Sequence, residues 1–328
     1  MSERLRALSV EFRESQDCPD IKIQGNEKHD EQCTNLTRTE RIMDCGSAEQ
    51  DLFLFDLSAY LLTFVPDQIA FTFFMYHYYL HIRTYLILKK KQLLNALSFA
   101  KNTTYIPFVI LCEPRSGSTL LHTYLNFHPQ IQSYGEILRE TWEVKKDAHA
   151  DPLENSIRKP HAPKIKAVGL KLFYFYYEHA LYAGAFQEIL KNHDIKIIHL
   201  IRKDILKLYI SLQRAEKTNV WSSTKAPVRE AVEKITINIE DFRYFATTYV
   251  QRQKTFQNLF QNHPIHNITY EDLSSNPDDV LKGVQKFLGV SIKKLQSLLQ
   301  KQNAENMEGL LINYEEAKAV ENEMNLRQ

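Results

Sequence analysis

IPFVILCEPRSGSTLLHTYL, residues 106–125, decides the fold. Residues 106–112 form an unbroken apolar run of seven, too short for an ordinary helix and typical of a strand buried on both faces. A polar loop follows, and the spacing predicts a helix from Ser118 to about Phe127. A strand that turns directly into a helix makes a cradle for an anion. The first helical turn leaves backbone N–H groups unpaired, and the helix dipole adds partial positive charge there. Gly117 lets the backbone approach the anion closely. Ser116, Ser118 and Thr119 add hydroxyl donors, and Arg115 adds a full charge. The loop is not of the G-x-x-x-x-G-K-[ST] type, because both the leading glycine and the lysine are missing. It is not a G-x-S-x-G nucleophile elbow either.

Downstream, short β-branched runs alternate with helical patterns, as in βαβ units. Strands are expected at 129–134, 165–173, 195–201 and 266–270. Helices are expected at 180–192, 204–217, 227–261, from Pro277 to near Gly289, and at 291–301. Residues 144–164, with Pro, His and mixed charge, read as an excursion. The fold class is therefore α/β: a P-loop-like, mainly parallel sheet flanked by helices, with an N-terminal helical extension. The boundaries are a polar, partly irregular region 1–50, an aromatic-rich helical extension 51–104, the main domain 105–316 and a polar tail 317–328. Ligands in such sheets bind beyond the carboxyl ends of the strands.

Composition narrows the function. The net charge of +1 gives no global field for nucleic acid or an anionic membrane, so an anion site has to be local. Cys18, Cys33, Cys45 and Cys112 form no C-x-x-C pair, which speaks against zinc and against a disulfide scaffold. Residues 68–82 carry no Asp, Glu, Lys or Arg, but fifteen residues fall short of the ~20 a spanning helix needs. With Lys89–Lys91 beyond it, contact of 68–91 with a membrane surface is the second choice. The first is a buried or docking helix ending in solvated lysines. No signal peptide is visible at the N-terminus, so a cytoplasmic protein is expected. His77 and His81 have metal-ligand spacing but no third ligand, so no metal is assigned.

KIIHLIRKDILKLYISLQRA, residues 196–215, repeats the strand–Arg–helix plan. Arg202 ends the strand, and Ser211 lies nine residues on, about two and a half helical turns. Both are candidates for a second phosphate at the same edge of the sheet.

In these motifs the chain resembles the PAPS-dependent sulfotransferases, where PAPS is 3′-phosphoadenosine-5′-phosphosulfate. The likeness rests on Arg115-Ser116-Gly117-Ser118-Thr119, on Arg202 with Ser211, and on NITYEDLSSNPDDVLKGVQKFLGV at 267–290. The ending KQN…LLINYEE, 301–316, is similar to bacterial carbohydrate-type members. The resemblance implies that the first loop holds the donor's 5′-phosphosulfate and that Arg202 and Ser211 hold its 3′-phosphate, with PAP as the product. Many members with small-molecule acceptors have Lys where Arg115 stands, and their Arg-to-Ser spacing is eight. Arg115 resembles the carbohydrate branch and the spacing of nine resembles the bacterial Nod-factor-type branch; both speak against a phenol or steroid acceptor and for a carbohydrate-like or other small-molecule one.

Sulfuryl transfer is an in-line displacement that needs alignment, charge on the leaving oxygen and a base for the acceptor hydroxyl. Arg115 is the candidate for the bridging oxygen and Lys171 the second cation. Glu136, in QSYGEIL, is the candidate base, with His122 and His128 as alternatives. Lys301 is a further candidate for the 3′-phosphate, and Arg139 for the rim of the acceptor site. Two other readings stay open at this point: a P-loop-type nucleotide phosphotransferase, and a non-catalytic nucleotide-binding or interaction protein on the same fold.

Overall fold

The computed structural model describes residue 82 and residues 86–91, 93–94, 97–98, 101–147, 149–218, 234–297, 299 and 307–326. The expected N-terminal region 1–50, the aromatic run 68–81 with His77 and His81, residues 227–233 and Lys301 lie outside the described residues.

The sheet is built from β1 (Ile106–Cys112), β2 (Ile131–Ser133), β3 (Ala167–Phe173), β4 (Lys196–Ile201) and β5 (Ile265–Thr269). Every pairing is parallel, and the strand order is β2-β3-β1-β4-β5. β1 is central, with Ile110 opposite Lys171 on one side and Cys112 opposite Leu200 on the other. Phe108, Val109, Ile110 and Cys112 have no exposed surface, as expected of a strand covered on both faces.

α1 (Ser118–Phe127) follows β1 and leads one way to β2; α5 (Ile205–Thr218) follows β4 and leads the other way to β5. Between them in sequence come α2 (Ile137–Arg139), which runs into a π-helical turn at Glu140–Val144, then α3 (Phe175–Glu178) and α4 (Ala180–Lys191). Parallel crossovers are right-handed, so α1 and α5 cover opposite faces and a crevice opens between the carboxyl ends of β1 and β4. That crevice positions the site.

α6 (Ile239–Leu259) starts where the Asn238 side chain accepts from the Glu240 and Asp241 amides. Its Phe256 stacks on Tyr174 at 4.7 Å, sealing one face of the sheet. α7 (Tyr270–Ser275) and α8 (Pro277–Phe287) follow β5, and Gly289 closes the turn with φ 66°. α9 (Met307–Leu310) and α10 (Tyr314–Asn325) complete the described elements. No described helix is long and apolar enough to cross a membrane.

Three expectations are corrected. Residues 291–297, expected to begin a helix, form neither helix nor strand. There the Ser291 amide donates to Gln130 Oε1 and the Lys293 amide to Gln285 Oε1, so side chains from other elements take the place of helical partners. The stretch from 317, expected to be a polar tail, is the body of α10. Ala317, Val320 and Met324 bury one stripe of it, and Glu321 accepts from the Leu206 amide at the start of α5. Lys91, grouped with solvated lysines, is buried. Its ammonium donates to the carbonyls of Asn126, in the last turn of α1, and Ile131. Burial, and after it Lys164, lowers the Lys91 pKa to about 7.

Candidate active site at the carboxyl rim of the sheet

The loop after β1 turns twice through the left-handed region, at Arg115 (φ 68°) and Gly117 (φ 91°). The Ser116 hydroxyl and amide both donate to the Glu113 carbonyl, at 2.6 and 3.3 Å, which closes the turn. A Cβ on Gly117 would lie 2.5 Å from Cδ2 of Tyr270, so a side chain there conflicts with both φ and the neighbouring ring. A non-glycine residue held left-handed, like Arg115, is strained, and the surroundings must impose it.

Arg202 supplies much of that imposition. Its Nη1 donates to the Arg115 carbonyl at 2.9 Å, and its guanidinium lies 4.6 Å from the Tyr270 ring centre. Its main chain is fixed in turn: the Tyr249 hydroxyl accepts from the Arg202 amide and donates to the Arg202 carbonyl. The next amides, of Lys203 and Asp204, both donate to the Glu271 carboxylate. Tyr249, Tyr270, Glu271 and Glu321 thus set the rim, although only the resemblance at 267–290 pointed to two of them.

Arg115 Nε donates to the Ser211 hydroxyl at 3.0 Å. Burial, then the nearby Arg202 charge, pushes the Arg115 pKa below its ordinary value. Two guanidinium groups gathered at the end of β1 and β4 repel each other, and an anion between them would relieve that. Arg202 Nε is buried and has no hydrogen-bond partner among the described residues. Orphaned buried donors are uncommon in proteins and suit a site that awaits an acceptor.

On the β3 side, Lys171 is 3% exposed, and its ammonium donates to Thr119 Oγ1 at 2.9 Å and to Glu136 Oε1 at 3.2 Å. Glu136 also pairs with Arg139 Nε at 3.1 Å. Gly135 (φ 66°) precedes it, and the Lys171 amide donates to the Gly135 carbonyl, tying this turn to β3. A connected path therefore runs from Ser211 through Arg115, the loop to Thr119, Lys171 and Glu136, and ends at Arg139. With Arg202 bonded to the Arg115 carbonyl, it gathers the candidate site residues of the described chain other than His122 and His128.

His122 and His128 stand apart from this path. His122 bonds Ser133 and Asn126, and burial, then Lys171, lowers its pKa to about 3. His128 is held by the Ser291 carbonyl and the Gln130 amide. Both have structural partners. Glu113, which sequence reasoning passed over, is buried beneath the loop, 3.5 Å from Arg252. Arg252 is committed to Glu178 through two bonds of 3.0 and 2.5 Å, and burial pushes the Glu113 pKa up to about 7. Among the described residues no group of three or more His, Cys, Asp or Glu could hold a metal ion.

The fold is a five-stranded, all-parallel sheet flanked by helices, with the β1–α1 loop at its carboxyl rim. Residues 107–294, more than half of the chain, match the Sulfotransferase family, and the chain belongs to that family. It is a sulfotransferase. Nodulation protein H of Rhizobium tropici is 28% identical over 226 residues, covering 64% of this chain and 87% of that protein. Nodulation protein H of Rhizobium meliloti strain 1021 is 24% identical over 221 residues, covering 64% and 89%. Among solved structures, a sulfotransferase from Alicyclobacillus acidocaldarius aligns with 16% identity and a TM-score of 0.38, covering 67% of this chain and 96% of that one. Mouse sulfotransferase SULT7A1 complexed with PAP aligns with 15% identity and a TM-score of 0.32, covering 63% and 65%.

Proposed function

We propose that the enzyme transfers the sulfuryl group of PAPS to a hydroxyl of a carbohydrate-like or small-molecule acceptor. The observation that carries this reading is the path from Ser211 to Glu136, which sets cations, hydroxyls and one carboxylate around a single helix start.

In this reading Arg202 and Ser211 hold the 3′-phosphate, and the orphaned Arg202 Nε finds its acceptor there. The amides and hydroxyls of Ser116, Gly117, Ser118 and Thr119 hold the 5′-phosphosulfate. Arg115, lying against Ser211, supplies charge on the leaving side. Lys171, between Thr119 and Glu136, draws charge from the sulfuryl group and its bridging oxygen. Glu136 takes the proton of the acceptor hydroxyl as its oxygen attacks sulfur. The bond from sulfur to the bridging oxygen breaks, and its electrons leave with PAP. The sulfuryl group carries less negative charge than a phosphoryl group, so fixed cations meet the demand.

The test is transfer of 35S from labelled PAPS to a panel of oligosaccharides and simple alcohols in excess EDTA. Labelled acceptor formed in step with PAP supports the reading. No transfer to any of them, or a strict magnesium requirement with consumption of a nucleoside triphosphate, refutes it.

A further inference from the structure

Glu136 follows β2, the strand at one edge of the sheet. An edge strand presents N–H and C=O groups that no neighbouring strand takes up. The Tyr134 amide donates to the Gly169 carbonyl of β3, so the N–H and C=O of Ser133, one residue earlier, point the other way, to the open edge. There a side chain takes the place of a strand. Asn126, in the last turn of α1, accepts from the Ser133 amide through Oδ1 at 2.9 Å and donates to the Ser133 carbonyl through Nδ2 at 2.9 Å. Its amide group thus pairs with the edge as a peptide group would.

His122, one helical turn earlier on α1, completes the grip. The second Nδ2 hydrogen of Asn126 reaches His122 Nε2 at 3.3 Å. With Nε2 as acceptor, Nδ1 carries the ring proton and donates to Ser133 Oγ at 2.7 Å. The neutral ring that this needs agrees with burial, which holds the His122 pKa at about 3. The same ring lies against the turn that follows β2: a Cβ on Gly135, at φ 66°, would stand 3.4 Å from His122 Cε1. From the opposite side, the Lys171 amide of β3 donates to the Gly135 carbonyl. The turn that brings Glu136 to the Lys171 ammonium is therefore held from α1 as well as from β3. α1 begins with Ser118 and Thr119, so the helix that offers the donor-side hydroxyls at its start grips the turn of the carboxylate at its end.

We propose that Asn126 is a positioning residue for sulfuryl transfer: paired with the open edge of β2 and backed by His122, it fixes the Gly135 turn and sets the Glu136 carboxylate against Lys171. The role rests on the assignment of Glu136 as the base. Alignment of a reacting group is worth this much structure, because a misplacement of about 1 Å can slow a reaction roughly a hundredfold.

The test is a double-mutant cycle on the full chain. Asn126→Ala is made in the wild type and in Glu136→Gln. Single-turnover transfer is followed with 35S-labelled PAPS and the alcohol or oligosaccharide of the acceptor panel that the wild type sulfates fastest. In the wild-type background the rate should fall about ten- to a hundredfold, with the KM for PAPS and the PAP affinity within about twofold. Retained PAP affinity also shows that the variant is folded. In the Glu136→Gln background the same change should cost less than about threefold, because the position of a missing base no longer matters. If Asn126→Ala does not bind PAP, the cycle is run with Asn126→Asp, which keeps the size of the side chain and the bond from the Ser133 amide and loses the donor to the Ser133 carbonyl; the same dependence on Glu136 is expected. Equal losses in the two backgrounds, no loss in the wild-type background, or a loss confined to the KM for PAPS would overturn the role. Failure of the underlying reading looks different: no member of the panel is sulfated, or Glu136→Gln alone turns over normally.

Discussion

The guanidinium of Arg202 donates to the main-chain carbonyl of Arg115 across the gap between β4 and β1. One side chain thereby holds the left-handed turn of the β1–α1 loop, while its own Nε is buried with no hydrogen-bond partner among the described residues. Arg202 thus has a structural role in addition to the ligand contact proposed for it, and experiments on it must separate the two.

Glu136→Gln removes the proposed base and keeps the shape of the side chain. Turnover should fall by roughly a hundredfold to ten-thousandfold, with PAP affinity retained. Single-turnover kinetics with labelled donor, alongside calorimetry with PAP, checks both halves. Near-normal turnover would reject Glu136 as the base.

Gly117→Ala forces a Cβ into a left-handed residue and against Tyr270. The cost should be about 1–3 kcal/mol of stability, read by urea denaturation. Donor affinity should fall as well, because Tyr270 also packs on the Arg202 guanidinium. An unchanged midpoint and unchanged PAP binding would show that the loop accommodates the methyl group.

Lys91→Met keeps much of the side-chain bulk and deletes the donor to the Asn126 and Ile131 carbonyls. Two acceptors then stay unsatisfied in a buried place. A loss of about 1–3 kcal/mol is expected by urea denaturation, with catalytic constants little changed. No loss of stability would mean that water serves the two carbonyls equally well.

Glu113 predicts a pH dependence of stability. Its ordinary value is 4.5 and its value in the fold is about 7, raised by burial among Arg252, Glu178, Tyr174, Tyr249 and Cys112. A raised value means that the contribution of Glu113 is fully present below its unfolded pKa and is lost as pH climbs through about 7. His122 and His199 act in the opposite sense. Burial holds them at about 3 and about 4, so their contribution is full above 6.5 and lost as pH falls. Glu113→Gln isolates the acid. Its stability relative to the wild type should improve by about 1–3 kcal/mol from about pH 5 to about pH 8. A constant difference in thermal melts would contradict the assignment.

Local pattern made most of the sheet legible. The seven apolar residues of β1 and the start of α1 at Ser118 agree with the structure residue for residue, because buried parallel strands and loop-to-helix turns announce themselves in sequence. Arg202 and Ser211 were singled out because Arg202 ends a buried strand and Ser211 lies about two and a half helical turns further on. The partners that position them were not legible from pattern. Tyr249 reaches Arg202 from a helix 47 residues away, and Glu321 meets Leu206 across 115 residues. Such contacts depend on packing between elements, which composition and periodicity do not encode. α10 was missed because its narrow apolar stripe is outnumbered by charged residues, and the helix expected at 291–301 was displaced over 291–297 by the side chains of Gln130 and Gln285.

The central claim is that Arg202 receives the 3′-phosphate of the donor. The most direct measurement is the ratio of affinities for PAP and for adenosine 5′-phosphate, by calorimetry, in the wild type and in Arg202→Ala. Damage to the loop weakens both ligands alike, whereas loss of the phosphate contact weakens PAP alone. The account predicts that the ratio falls by about ten- to a hundredfold, equivalent to about 1.5–3 kcal/mol for a charge-assisted hydrogen bond. An unchanged ratio would contradict it.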